Sequence, residues 1–169
     1  MELDGQIEQV AGQERDLVLD HFTDDDAWDL GSWIRQRASA GHWPVVVDVR
    51  RFDRPLFFCA LPGSTPDNPD WVRRKAATVQ RFHRSTYRTK LELERDGTTL
   101  QDRFGLSPAD YAAHGGGFPL VTLDSGVIGC VTVSGLPQVM DHLVVVHALH
   151  SLPATRPSAL RLPPLPDAP

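Results

Sequence analysis

Residues 115–142 read GGGFPLVTLDSGVIGCVTVSGLPQVMDH and carry the densest structural signal in the chain. Three glycines lead into an apolar strand, and the turn Asp124-Ser125-Gly126 joins that strand to a second one. The step Ser134–Pro137 then stops the second strand and starts a helix. Glycine at this density indicates backbone that adopts positive φ or lies close to another part of the molecule. The stretch predicts a glycine-rich β-hairpin followed by a helix.

The composition is that of an ordinary globular protein, with 169 residues of which 41% are hydrophobic and 23% are charged. Such a length predicts one domain with a full core. The formal net charge of −5 argues against nucleic acid as a partner. No apolar run approaches the roughly 20 residues of a membrane span, and the polar N-terminus lacks a signal-peptide core, so we expect no membrane contact. Cys59 and Cys130 exclude a disulfide framework and indicate a reducing cytoplasm.

The N-terminal part of the chain predicts a strand and a capped helix. Residues 1–15 are polar and form a short helix or no element. Asp16–Phe22 has the pattern of a short strand. A helix should begin after Thr23, with Asp26 completing a capping box, and should end at Gly41.

A second hairpin and a long helix follow. The apolar runs Val45–Arg50 and Pro55–Leu61 pair as strands, and their continuous hydrophobicity predicts a sheet covered on both faces. Asp70 should cap a helix that begins at Trp71. Its predicted inner stripe consists of Val72, Ala76, Val79 and Phe82 or His83.

The remaining segments are predicted from short sequence patterns. Leu91–Gly97 is polar, and Leu106–Tyr111 predicts a short helix with a serine cap and a proline in its first turn. The last helix should run from Pro137 to about His150. Its predicted inner stripe consists of Val139, Leu143 and Val146. From Ser151 onward six of nineteen residues are proline, which predicts a disordered tail with no core to join.

The charge distribution is asymmetric. No acid occurs from Trp71 to Leu91, and the remaining 10 cations and 22 acids give the rest of the chain a net charge of −12. Seven cations lie in this acid-free segment, namely Arg73, Arg74, Lys75, Arg81, Arg84, Arg88 and Lys90. The segment is either a solvated helix face or a surface that faces a carboxylate, a phosphate or an acidic neighbour.

Three segments, LPGSTPDNPDWVRRK, AAHGGGFPL and GVIGCVTVSGLPQVMDH, together resemble an uncharacterised bacterial and fungal family of the haem-degrading, HbpS- and GlcG-like superfamily. The resemblance covers roughly residues 15–150. It implies a profilin-like α/β (α+β) domain over residues 16–150, with a central antiparallel sheet of about five strands in a three-layer α/β/α arrangement. It also implies self-assembly into dimers or larger closed oligomers, and haem binding in some relatives. Residues 1–15 and 151–169 flank the domain.

His114 is the first candidate site residue because it directly precedes Gly115, Gly116 and Gly117. A neutral imidazole there can ligate haem iron, or it can simply hydrogen-bond the turn. The three glycines offer a nest of backbone N–H groups for a carboxylate, or they let a strand cross close to a helix. Their spacing matches neither a P-loop nor GxGxxG, so nucleotide binding is disfavoured.

His142 is the second candidate, since Ser134, Asp141 and His142 are the residue types of a nucleophilic triad. Adjacent residues on a helix point in different directions, so Asp141 is badly placed to orient His142. The alternative is an acid that complements the helix dipole beside a histidine that bonds a neighbouring loop or subunit. His147 and His150 are only two ligands, so no metal site is predicted beyond the haem-iron role of His114.

The resemblance makes a cytoplasmic haem- or tetrapyrrole-binding protein the leading functional hypothesis. In it His114 is the candidate iron ligand, and Arg73, Arg74 and Arg81 are candidates for contacts to the propionates. Degradation of the haem would use the cofactor's own oxygen chemistry. Two alternatives remain, a non-catalytic oligomeric ligand-sensing or assembly module and an enzyme that acts on a small organic acid held by the glycine nest. The expected partners are a second copy of the chain and a small anionic or tetrapyrrole ligand.

Overall fold

The hairpin and helix predicted from residues 115–142 form in the structure, a computed structural model that describes residues 2–165. In chain order the elements are α1 (Leu3–Asp16), α2 (Asp24–Ala40), β1 (Val46–Arg51), β2 (Arg54–Ala60), α3 (Asp67–Phe82), α4 (Thr86–Arg95), α5 (Leu100–Phe104), β3 (Gly117–Thr122), β4 (Gly126–Ser134) and α6 (Gln138–Ser151). Both predicted hairpins, β1–β2 and β3–β4, are therefore confirmed.

The strands form one antiparallel sheet in the order β2-β1-β4-β3. The described residues contain four strands in this sheet, close to the number of about five that the resemblance implies. The difference lies at Asp16–Phe22, which we predicted as a strand. Only Leu19 bridges there, parallel to Thr122 and antiparallel to Thr155, so this segment borders the sheet without becoming part of it.

Helices cover the two faces of the sheet. On one face α2 and α6 pack against a core that includes Val47 of β1 and Val131 of β4. On the other face α3 lies over β4, β3 and β1, where Val79 packs against Cys130. Successive strand residues point to opposite faces, which is why Cys130 and Val131 meet different helices. The α/β class with helices on both faces of an antiparallel sheet is confirmed.

The capping box of α2 is confirmed in full. The Thr23 hydroxyl accepts a hydrogen bond from the backbone N–H of Asp26 at 3.2 Å, and the Asp26 carboxylate accepts one from the backbone N–H of Thr23 at 2.7 Å. Gly41 follows the last turn of α2, as predicted. The capping box sets the start of the helix through residues three apart in the chain.

Coverage of both sheet faces was predicted and is wrong for β2. Phe57 packs against α2, so tightly that a Cβ on Gly31 would lie 2.3 Å from its ring. Phe58 points to the opposite face, where α3 does not reach the edge strand, and is 52% exposed. The apolar run of β2 therefore leaves a hydrophobic side chain at the surface.

Two helices arise where the sequence predicted little structure. The polar segment 1–15 forms α1, and Leu91–Gly97 is largely the second half of α4. Ile7 and Val10 of α1 and Leu91 of α4 form a small buried cluster. The few apolar residues of each segment share one helix face, and mutual burial stabilises both helices.

Three local predictions need correction. The helix predicted from Trp71 begins at Asp67, and the Asp70 carboxylate accepts hydrogen bonds from arginines of the next turn instead of capping the helix. Leu106–Tyr111 is a turn, and the short helix α5 lies upstream of it. On α6 the predicted inner residue Val139 is 45% exposed. The buried side of α6 comprises Asp141, His142, Val144, Val145, Val146, Ala148 and Leu149.

The C-terminal segment contacts the domain as far as the structure describes it. Leu152 and Ala154 are buried, and the backbone N–H of Arg156 donates to the Val18 carbonyl at 2.9 Å. The His147 Nε2 lies 2.7 Å from the Pro163 carbonyl oxygen. These contacts correct the prediction that the chain from Ser151 has no core to join. Residues 166–169 lie outside the described part.

Candidate functional site

Two clefts lie side by side and share a wall made of Trp71 and His114. The two rings meet edge to face, with centroids 5.0 Å apart and planes at 72°. The Trp71 Nε1 donates a hydrogen bond to the Asp67 carboxylate at 2.9 Å, which fixes the indole. We call the larger cleft, of about 530 Å³, cleft A and the smaller one, of about 380 Å³, cleft B.

Cleft A lies between α3, α4, α5 and the loop that leads to His114. Its apolar lining residues are Trp71, Leu93, Leu100, Leu106, Pro108, Tyr111, Ala112 and Ala113. Arg74 and Lys90 bring two cations to this lining, and Glu94 brings an acid that forms an ion pair with Lys90. The Arg74 guanidinium carbon lies 4.1 Å from the centroid of the Trp71 ring, and its Nε donates to Asp70 at 2.8 Å. Cleft A is therefore a mainly apolar space with charged groups of both signs on its lining.

His114 stands at the rim of cleft A with both ring nitrogens available. Neither nitrogen has a hydrogen-bond partner among residues 2–165. Burial lowers the pKa of His114 below its ordinary value, and the nearby cations Lys75, Lys90 and Arg74 lower it further. The imidazole is therefore neutral at pH 7 and carries a free lone pair, which is the form that ligates a metal.

Cleft B has a buried ion pair beneath it, between Lys75 of α3 and Asp141 of α6. Each side chain is only 3% exposed, and the Nζ lies 3.0 Å from the Asp141 Oδ2. The Nζ also donates to the Val133 carbonyl at 3.0 Å. The Asp141 carboxylate accepts hydrogen bonds from the backbone N–H groups of Leu136 at 3.0 Å and Gly135 at 3.4 Å. The other polar residues lining cleft B are Asn68, His114, Ser134 and Gln138.

The pKa values of both partners are displaced toward the neutral forms. Burial lowers the pKa of Lys75, against the opposing effect of Asp141. Burial raises the pKa of Asp141 to about 6, although Lys75 and the backbone N–H groups lower it. Because both side chains are buried, water does not stabilise either charge, and the electrostatic attraction between Lys75 and Asp141 is what keeps them ionised.

The glycine run does not form an open nest. The backbone N–H of Gly115 donates to the Gln138 side chain at 3.4 Å, and that of Gly117 donates to the Thr86 hydroxyl at 3.0 Å. Two of the three N–H groups that would hold a carboxylate are therefore engaged within the protein.

Gly116 instead permits a close approach of chain segments. Its φ is 123°, in a region that L side chains rarely adopt. A Cβ at this position would lie 2.3 Å from the Val133 carbonyl oxygen and 2.7 Å from the Lys75 Nζ. The glycine is needed so that the backbone can pass directly beside the buried ion pair.

His142 lies away from both clefts, packed against the rings of Tyr87 and Phe118. Its Nε2 is 2.7 Å from the Gln13 Oε1, and its buried Nδ1 has no hydrogen-bond partner among residues 2–165. Burial lowers the pKa of His142 to about 3, so the ring stays neutral. Because the Asp141 carboxylate bonds Lys75 rather than His142, the three residue types of a triad do not assemble.

The three arginines proposed for anion contacts occupy different environments. Arg74 lines cleft A. Arg73 is tied to Asp70 and to the Ala109 carbonyl, and Arg81 is exposed and lines neither cleft. Most of the acid-free segment is neutralised by acids from elsewhere, through the pairs Arg73–Asp70, Arg74–Asp70, Lys75–Asp141, Arg84–Glu92, Arg88–Glu14 and Lys90–Glu94.

The sequence did not single out Trp71 or the Lys75–Asp141 pair. Lys75 was noted only as one of seven cations, and its partner lies 66 residues away. The described residues contain no group of three metal-ligating side chains. Nor does any helix among them have the length and apolar character to cross a bilayer.

Comparison with known proteins identifies the family to which the chain belongs. A family model described as haem degrading protein HbpS-like matches residues 22–150. The chain belongs to this family. A UPF0303 protein of Paraburkholderia phymatum is 50% identical over 149 residues, which are 88% of this chain and 90% of the relative.

Solved structures share the fold. The crystal structure of the Ybr137w protein matches with a TM-score of 0.79 and 31% identity, over 85% of this chain and 84% of that one. A PduOC–haem complex matches with a TM-score of 0.63 and 18% identity, over 80% of this chain and 99% of that one. At that identity the second likeness concerns the fold alone.

Proposed function

We propose that the chain binds haem or a related tetrapyrrole in cleft A, with His114 as the iron ligand. The observation that carries the proposal is an unpartnered neutral imidazole at the wall of an apolar cleft. The description of the family as haem degrading and the haem complex of a protein of the same fold support it.

The lining of cleft A suits such a ligand in size and in chemistry. A volume of about 530 Å³ lies within the range of about 300–1,000 Å³ that is usual for small-molecule and cofactor sites. The aromatic and aliphatic walls suit the macrocycle. Arg74 and Lys90 would donate charge-assisted hydrogen bonds to propionates in exchange for their carboxylate partners Asp70 and Glu94. The role predicted for Arg73 and Arg81 thus passes to Lys90, because only Arg74 of the three arginines lines the cleft.

The protein's own part in this function is binding and positioning. Trp71 holds the His114 ring edge-on, and the lowered pKa of His114 keeps its lone pair free at neutral pH. A bound haem supplies iron-centred oxygen chemistry. No residue is assigned a catalytic role in degradation.

Haemin titration tests the proposal. We expect wild type to give a saturable Soret band at one haemin per chain, and His114→Ala to lose or shift that band. His150→Ala, which removes an exposed histidine from α6, should behave as wild type. An unchanged band and affinity in His114→Ala would refute the assignment of the ligand. If wild type gives no saturable band, the result favours a non-catalytic sensing or assembly module, or an enzyme that acts on an organic acid. In the second case the acid would have to be bound elsewhere than at the glycine run, whose N–H groups are largely engaged.

We also propose that the chain works in the cytoplasm as a homo-oligomer. Cys59 and Cys130 are free thiols, which suits a reducing compartment. Phe58 on the edge strand β2 and Trp28 on α2 are 52% and 63% exposed. A second copy of the chain that covers these side chains would remove apolar surface from water.

A further inference from the structure

Lysine is scarce in this chain, and one of its lysines is buried. Of the 17 basic residues only Lys75 and Lys90 are lysines, and the other 15 are arginines. An arginine keeps its charge in any protein environment, whereas a buried lysine can lose its proton and become a nucleophile. The cation beneath cleft B is thus one of the two basic side chains that can supply a neutral amine.

The geometry around Lys75 leaves the amine a free direction. Of its three N–H groups, one donates to Asp141 and one to Val133, so one is unused among residues 2–165. The side of the amine toward Gly116 is closed, since even a Cβ there would lie 2.7 Å from the Nζ, but Lys75 itself is on the lining of cleft B. The Ser134 hydroxyl, also on the lining of cleft B, has no hydrogen-bond partner among residues 2–165. An amine, a carboxylate and a free hydroxyl therefore meet at one small polar cleft.

We propose that cleft B binds a small carbonyl compound, an aldehyde or a ketone, which Lys75 takes up as an imine. The Ser134 hydroxyl lines the same cleft and would donate to the carbonyl oxygen. The anion position beside the backbone N–H groups of Gly135 and Leu136 is already filled by Asp141, so the ligand is held through its carbonyl group. Cleft B shares the Trp71–His114 wall with the proposed haem site, but the proposal for Lys75 uses no property of haem.

The reaction balances with the groups present. The Lys75 ammonium passes a proton to the Asp141 carboxylate across their 3.0 Å hydrogen bond, which leaves a neutral amine. The amine lone pair forms the C–N bond, and a proton moves from nitrogen to the former carbonyl oxygen. Asp141 then protonates the hydroxyl, which leaves as water while the C=N bond forms. The product is a protonated imine beside the Asp141 carboxylate, and no oxidant or reductant is consumed.

Reductive trapping of the full-length wild-type chain tests the proposal. The protein is incubated at pH 7 with cyanoborohydride and either acetaldehyde or pyruvate, and the label on each lysine is measured by peptide mass spectrometry. Lys90 is the internal control, since its side chain is 20% exposed against 3% for Lys75. Solvent accessibility alone predicts more label on Lys90 than on Lys75. More label on Lys75 than on Lys90, with either probe, therefore supports the proposal. Labelling by acetaldehyde indicates neutral carbonyl ligands, and labelling by pyruvate indicates 2-oxo acids. Label on Lys75 equal to or below that on Lys90 with both probes overturns it.

A variant of Gln138 tests whether the carbonyl compound enters through cleft B. Gln138 lines this cleft and not cleft A, so Gln138→Trp should narrow cleft B alone. We expect severalfold less label on Lys75 in this variant and unchanged label on Lys90. Undiminished label on Lys75 would overturn the assignment of the cleft. Neither measurement contains haem, so its failure leaves the proposed haem site to its own test.

Discussion

Replacement of Gly116 by alanine should destabilise the protein more than the same change at another glycine of positive φ. At Gly116 the new Cβ would lie 2.3 Å from the Val133 carbonyl oxygen, 2.7 Å from the Lys75 Nζ and 3.0 Å from the Asp141 Cβ. Gly126, at a φ of 68°, has nothing within 4 Å of the same position and serves as the matched control. The comparison sets a glycine with both a costly φ and a collision against one with a positive φ alone.

The magnitudes follow from these distances. Holding a non-glycine residue in an unfavourable φ/ψ region costs about 1–3 kcal/mol, and this cost is at least as large at Gly116, whose φ of 123° lies outside the small left-handed region that contains Gly126 at 68°. Gly116→Ala adds an overpacking cost of about 1–3 kcal/mol, because the carbonyl oxygen belongs to β4 and the Lys75 Nζ is held by two hydrogen bonds. For a chain of this size each kcal/mol lowers the Tm by about 2–4 °C. Gly116→Ala should therefore melt roughly 2–12 °C below Gly126→Ala.

Thermal unfolding followed by circular dichroism measures this difference, and urea unfolding gives the free energies. Gly116→Val should be worse than Gly116→Ala, because a β-branched side chain meets the same atoms with more volume. Equal Tm values for Gly116→Ala and Gly126→Ala would refute the reasoning, since they would show that Lys75 and β4 yield without cost.

Three further predictions concern the rest of the fold. In wild type His142 should make stability fall with acidification, because its pKa of about 3 lies below its ordinary value of 6.5 and the unfolded chain therefore binds the proton first. The loss begins below pH 6.5 at about 1.4 kcal/mol per pH unit, and urea unfolding of His142→Gln should lack this component. Truncation after Ser151 should lower the Tm by several degrees, because it removes the buried Leu152 and Ala154; an unchanged Tm would show that these contacts contribute nothing. Light scattering at micromolar concentration should give a mass above 18.7 kDa, reduced in Phe58→Ser, whereas a wild-type mass near 18.7 kDa would contradict self-association.

Helix and strand ends that are set by residues close together in the chain could be predicted from the sequence. The capping box that starts α2 consists of Thr23 and Asp26, three residues apart, so both partners are visible in one short window. The step Ser134–Pro137 likewise ends β4 and starts α6 through residues that are neighbours in the chain. In such cases the physical cause and its effect occupy the same few residues.

Elements that depend on distant partners could not be predicted. α1 and α4 each have too few apolar residues to predict a helix alone, and they are stabilised by the cluster that Val10 and Leu91 form across the fold. The acid-free segment looks strongly cationic because its acidic partners, such as Glu14 and Asp141, lie far away in the chain. His114 was found as a candidate because glycines follow it, but its neighbour Trp71 and both clefts exist only in the folded chain.

The wall that Trp71 and His114 form is a common boundary, through which a ligand in one cleft would influence binding in the other. A ligand that holds the His114 ring from the side of cleft A also sets one boundary of cleft B, and the charge at Lys75 acts on His114 in turn. Thermodynamic linkage makes this influence mutual, so the factor by which one ligand changes the affinity for the other is the same in both directions. A haemin titration repeated in the presence of a carbonyl compound thus measures the coupling free energy between the two sites.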